Sequence, residues 1–176
     1  MVPLQEVYGM GLTEARLTEL GITLPQERFT AEGVRLPFPF VKVDGTRVFI
    51  SGHGPMGGTP VGVSHKLGKV GQELSVEEGY LAARYTAISI LGSLKLELGN
   101  LDRIRCWHRI FGMVNSAPGF TEQPSVINGF SDLILEVFGA ERGKHTRSAV
   151  GMSELPFNIP VEIEGELAIF SEFTEA

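Results

Sequence analysis

Two charged side chains near the C-terminal end, Arg147 and Glu162, carry the chemistry this sequence can offer. A guanidinium presents a planar fork of donors that matches a carboxylate in two contacts. A carboxylate beside it can orient or deprotonate a water molecule. Together the two suit a small organic acid attacked by water. The surrounding residues are two apolar runs, 149–152 and 159–169, flanking a turn-rich centre, Glu154-Leu155-Pro156-Phe157-Asn158. Pro156 and Pro160 cannot donate to a ladder, so they belong at a turn and at a strand start. The second run alternates: Val161, Ile163 and Gly165 face one way, Glu162, Glu164 and Glu166 the other, as in a strand with one buried and one acidic face. If the two runs pair through the intervening turn, Arg147 and Glu162 approach one small cleft. A cross-strand ion pair holding a hairpin accounts for the same residues. On residue types alone that inert reading is the commoner one, because exposed charge pairs contribute little.

Other candidate chemistries find less support. The histidines, at 53, 65, 108 and 145, include no i,i+4 pair and no cysteine partner at ligand spacing, so no metal site is expected. His145, two residues before Arg147, is a candidate proton donor behind it. Gly52-His53-Gly54-Pro55-Met56-Gly57 spells G-x-G-x-x-G after a predicted strand, yet Gly58-Thr59-Pro60 cannot begin the helix that a dinucleotide site needs. Cys106 lies in a strand-like run and reads as a core thiol; as the one cysteine it excludes an internal disulfide and fits a reducing, cytoplasmic setting. A net charge of −6 opposes general phosphate-backbone binding, so a nucleic-acid partner is not expected. No run reaches the length of a membrane span, and the first residues lack a secretory pattern.

The elements that must position Arg147 and Glu162 are legible by period and punctuation. Asp44-Gly45 marks a hairpin between strands over 34–43 and 46–51. Ser75 and Glu78 form a capping box for a helix over 75–98, ended by Gly99. Residues 102–114 read as a long strand and 121–138 as a second helix, with Thr121 as cap, Pro124 in its first turn and Gly139 as its end. A short helix over 13–20, capped by Thr13, belongs to an N-terminal extension and linker, 1–33; the main domain spans 34–170 and a tail 171–176. Hairpins mixed with helices predict an α+β fold with both long helices on one face of a mixed sheet.

Arg147-Ser148-Ala149-Val150, then Leu155-Pro156, then Val161-Glu162-Ile163-Glu164 resembles the C-terminal signature of the Rid/YjgF family of imine and enamine deaminases, also labelled L-PSP endoribonucleases. Phe49-Ile50-Ser51-Gly52-His53-Gly54-Pro55, Gly68-Lys69-Val70-Gly71, Ala82-Ala83-Arg84 and Asn115-Ser116-Ala117-Pro118-Gly119-Phe120 agree, so the resemblance runs from Phe38 to Phe170. It is nearest to a longer subgroup with an extra N-terminal helix. The resemblance implies a chorismate-mutase-like fold, mostly antiparallel, assembled as homotrimers with clefts between subunits. It implies hydrolysis of a 2-imino or 2-enamino acid to a 2-keto acid and ammonia without a cofactor. By the same resemblance Arg147 binds the substrate carboxylate and Glu162 orients water. Ser51, Gly52, Ala149 and Phe40 line the pocket, and Asn128 reaches it across a subunit boundary. Phe40 stands where many members have tyrosine, and Ala149 where some have cysteine. A metabolite-binding trimer without catalysis is the alternative reading; a ribonuclease is the third.

Overall fold

The computed structural model describes residues 11–26, 36–55 and 66–171. In chain order the elements are α1 (Leu12–Glu19), β1 (Val41–Asp44), β2 (Arg47–His53), α2 (Val76–Leu98), β3 (Ile104–Asn115), α3 (Gln123–Gly143), β4 (Thr146–Met152) and β5 (Val161–Ile169). The strands form one sheet in the order β1-β2-β5-β3-β4. All neighbours are antiparallel except β3 and β4, the parallel pair that α3 connects. This is the expected α+β architecture, with α2 and α3 packed together against the sheet.

Each long helix follows from its sequence. Ser75 accepts from the Glu78 amide while the Glu78 carboxylate takes the Ser75 amide, and Gly99 ends α2 at φ 74°. In α3, Pro124 sits in the first turn and Gly139, at φ 71°, leaves the helical conformation before a last turn to Gly143. The expected Thr121 cap is absent: the N-cap is Glu122, with no side-chain bond to the helix. The helices touch where Gly129 meets the Tyr80 carbonyl, closer than any side chain would allow. Below them Val48, Ile110, Val114, Ile163 and Leu167 rise from the sheet to meet Ile90, Leu94, Ile127, Phe130 and Ile134 in one core.

Two local expectations are corrected. The β1–β2 loop is Gly45-Thr46, because Asp44 pairs with Arg47; Gly45, at φ 58°, occupies the first central position. The expected Thr13 cap of α1 is replaced by a distant one: the Asp102 carboxylate accepts from the Leu12 amide (2.6 Å), the Thr13 amide (2.9 Å) and the Thr13 hydroxyl (2.5 Å). Two orphan backbone N–H groups at the start of α1, and the Thr13 hydroxyl, thus find an acceptor on the turn before β3. The strand expected over 34–43 begins only at Val41; residues 34 and 35, residues 56–65 with His65, and residues 172–176 of the tail lie outside the described residues.

The larger correction concerns 145–170, which is not a hairpin. β3 lies between β4 and β5 and pairs with both. The cause is the eight-residue connection. Pro156–Asn158 forms a 3-10 turn with Phe157 and Asn158 in the left-handed region, and Leu155 and Ile159 buried on either side. The buried Asn115 amide group donates to Asn158 Oδ1 (3.1 Å) and to the Ile159 carbonyl (3.2 Å), and the Asn115 backbone N–H donates to the Pro160 carbonyl (2.9 Å). The end of β3 therefore captures the chain and starts β5 alongside itself.

Candidate functional site

The parity of the sheet places Arg147 and Glu162 apart. Arg147 lies beside Ile110 of β3, and Glu162 beside Met113. Three residues separate those levels, and an odd offset puts the two side chains on opposite faces. They are also two strands apart, about 10 Å across the sheet and about 10 Å along it. Arg147 shares the helix-covered face with Ile110; Glu162 shares the other face with Glu164 and Glu166. Within one chain they cannot close on a single small molecule.

The Arg147 half is built by β4 and α3. The half-buried guanidinium donates through Nη1 to Ser131 Oγ (2.9 Å), and through Nη2 to Asn128 Oδ1 (2.6 Å) and the Pro124 carbonyl (3.2 Å). Asn128 and Ser131 are three apart on α3 and so lie on one face. Asn128 thus meets Arg147 within the same chain, not across a boundary from it. All three acceptors are neutral, and no carboxylate among the described residues pairs with Arg147. Three of its five N–H donors are engaged. The guanidinium is held in place while its charge stays uncompensated. Ala149, two residues on, faces the same way against the core. Gln123, the residue before Pro124, lines a cleft of about 540 Å³ with Ser116, Phe120, Gly151 and Met152 at the far end of β4.

The Glu162 half is built by β2 and β5. The register between these strands shifts between Ile50 and His53, and that irregularity carries Ser51 and Gly52. A Cβ on Gly52 would lie 2.0 Å from Glu162 Oε1, so the glycine lets backbone and carboxylate come together. Burial pushes the Glu162 carboxyl above the usual carboxylate range, and Glu164 adds to the shift. A carboxyl with such a shift can exchange a proton nearer neutrality. Ser51 Oγ donates to the Pro39 carbonyl (2.9 Å) and the Ser51 amide to the Phe40 carbonyl (2.9 Å), which ties the 36–40 segment to β2. The Phe40 ring stands 4.9 Å from the buried His53 imidazole. Along the same sheet face a shallow cavity of about 310 Å³ is lined by Phe49, Ser51, Arg109, Phe111, Glu164 and Glu166.

Of the residues read from the sequence, the structure gathers Arg147, Asn128 and Ala149 in one half, and Glu162, Gly52, Ser51 and Phe40 in the other. Ser131 and the Pro124 carbonyl were missed. The i,i+3 spacing of Ser131 from Asn128 was the available signal. No group of three or more His, Cys, Asp or Glu among the described residues is placed to hold a metal ion. No helix among them is long and apolar enough to cross a membrane.

The sequence model of the family described as "YjgF/chorismate mutase-like, putative endoribonuclease" matches residues 14–164. The chain belongs to the YjgF family. Relatives across most of its length agree. Protein TCP17 of Trypanosoma cruzi is 38% identical over 161 residues, covering 90% of this chain and 94% of that protein. The crystal structure of Atu1372 of Agrobacterium tumefaciens, a protein of unknown function, is 38% identical, covers 90% of this chain and 94% of its own, and superposes with a TM-score of 0.77. A structure from Shewanella oneidensis MR-1, titled a "putative endoribonuclease", is 30% identical over 89% of this chain and 99% of its own, also with a TM-score of 0.77. As a YjgF protein the chain has the chorismate-mutase-like fold, and Arg147, Ala149, Ser51, Gly52 and Glu162 fall on the segments that carry the family resemblance.

Proposed function

We propose that this YjgF chain is a subunit of a homotrimeric hydrolase that converts small 2-imino and 2-enamino acids into 2-keto acids and ammonia. The observation that carries the reading is Arg147, a half-buried cation fixed by three neutral oxygens and paired with no carboxylate among the described residues. Such a group binds a carboxylate in a forked contact and sets the adjacent imine carbon for attack. The opposite-face placement of Glu162 gives the homotrimer its role: Arg147 of one protomer and Glu162 of the next line one cleft between subunits. Water held by Glu162 adds to the imine carbon, and the carboxylate takes the proton. That proton passes to nitrogen to give the carbinolamine; its hydroxyl proton then moves to the amino group as the C=O bond forms, the C–N bond breaks and ammonia leaves. An imine is already electrophilic, so the step calls for no cofactor.

Release of ammonia from 2-iminopropionate, followed in a coupled assay, tests the proposal. Arg147→Ala is expected to lower kcat/KM by roughly 10² to 10³, the loss of a desolvated carboxylate contact of about 3–4 kcal/mol, with the circular dichroism spectrum unchanged. Full activity in that variant would refute the assignment. One observation favours a second reading, a 2-keto acid binding trimer without catalysis: Phe40 packs on His53 and brings no hydroxyl. Under that reading pyruvate stabilises the wild-type protein against heat while no ammonia appears.

A further inference from the structure

Behind Arg147 lies a chain of hydrogen bonds whose direction is fixed by chemistry. His145 Nδ1 is 2.8 Å from the Gly143 carbonyl, which can only accept, so Nδ1 carries the proton. In the neutral ring Nε2 then has only a lone pair. It lies 3.0 Å from Ser131 Oγ, so the serine hydroxyl donates to it. With its hydrogen committed, the Ser131 oxygen presents its lone pairs to Arg147 Nη1, 2.9 Å away. The Phe130 ring meets the imidazole edge to face at 5.8 Å, and Phe130 is itself fully buried against Trp107, so the histidine is anchored to the core.

We propose that Ser131 and His145 are positioning residues: the imidazole orients the Ser131 hydroxyl so that its oxygen fixes the Arg147 guanidinium toward an incoming carboxylate. The inference rests on the reading of Arg147 as the carboxylate clamp. It extends that reading to two residues that never touch the substrate. Burial keeps the His145 pKa below its ordinary value; the bond to the Gly143 carbonyl opposes it, and the nearby Arg147 charge adds a smaller lowering. That lowering favours the neutral ring, which the relay requires. Without the relay, Nη1 loses its oriented acceptor, and the guanidinium swings about the two contacts on Nη2. The expected signature is weaker carboxylate binding without a slower chemical step.

Two measurements decide it. Nitrogen-15 NMR of the wild-type protein should show His145 as the Nδ1–H tautomer at pH 7; the Nε2–H tautomer would overturn the relay whatever the substrate. Calorimetric titration with pyruvate should show Ser131→Ala binding about tenfold more weakly, as expected for loss of one charge-assisted hydrogen bond, with KM for the imine raised alike and kcat held. Ser131→Thr, which keeps the hydroxyl, should stay within about twofold of wild type, and His145→Phe should weaken binding in the same direction as Ser131→Ala. The double variant Ser131→Ala/His145→Phe should be no worse than Ser131→Ala alone, since the histidine acts through the serine. An unchanged Kd in Ser131→Ala, or multiplied losses in the double variant, would overturn the proposal. Failure of the wild-type protein to bind pyruvate would instead count against the carboxylate-clamp reading, leaving the tautomer to decide the relay.

Discussion

At the scale of single residues the two half-sites differ in what holds them. Arg147 keeps its charge because its partners are neutral; an aspartate in place of Asn128 would quench the charge on which the proposed carboxylate contact depends. Glu162 carries the opposite liability, a carboxylate partly withdrawn from water with Glu164 beside it. Its folded-state pKa lies above that of free glutamate, so as pH rises past about 4.3 the unfolded chain ionises first. The stability of the native state falls through that interval and stays lower above the folded pKa. Glu162→Gln is therefore expected to raise Tm at pH 7 by about 2 °C, with little change at pH 4, while abolishing ammonia release. Differential scanning calorimetry at the two pH values checks this, and a lower Tm at pH 7 would contradict it. The identities of Arg147, Glu162 and Asn128 were legible in the sequence through the family resemblance. The partnership of Ser131 was not, because a serine in a helix carries no distinguishing signal until its neighbours are known.

At the scale of elements, local punctuation was read well at the start of α2 and at the glycine ends of both long helices, while the turn after β1 was misplaced by one residue. The Ser75–Glu78 box and the glycines at 99 and 139 act within a few residues of the helix ends they define. The cap of α1 was misassigned because its acceptor, Asp102, lies about ninety residues away, as the Thr13 contacts record. Burial tends to raise the Asp102 pKa, but the bonds from Thr13 and Leu12 outweigh it and leave it lower than usual. The stabilisation is present above the ordinary aspartate pKa and is lost as pH falls through the lower folded value. Asp102→Ala should cost about 1 kcal/mol, a fall in Tm of roughly 3 °C at pH 7, and the gap from wild type should close in strong acid. Thermal melts from pH 7 down to pH 3 would show it; an unchanged Tm at pH 7 would mean that the buried Leu17 and the Glu14 and Arg16 contacts hold α1 without Asp102.

At the scale of the whole molecule, a sheet with helices on one face leaves the other for an assembly to cover, and Glu162 lies on that open face. If the proposed cleft joins two protomers, two inactive variants can complement one another. Arg147→Ala and Glu162→Gln chains, mixed under denaturing conditions and refolded together, should regain about a quarter of wild-type ammonia release, because a random trimer completes that share of its clefts. Refolded mixtures as inactive as either variant would dismiss the shared cleft. The sequence alone determined the fold class, the two long helices, the period-2 strand at 161–169 and the identities of the charged groups, because period, capping and motif spacing act over short stretches. Only the tertiary structure decided that β3 separates β4 from β5, since that depends on Asn115 seizing a connection more than forty residues further along. From that one insertion follow the three-residue offset and the opposite faces, so a site that looked like a hairpin cleft is divided between the two faces of the sheet.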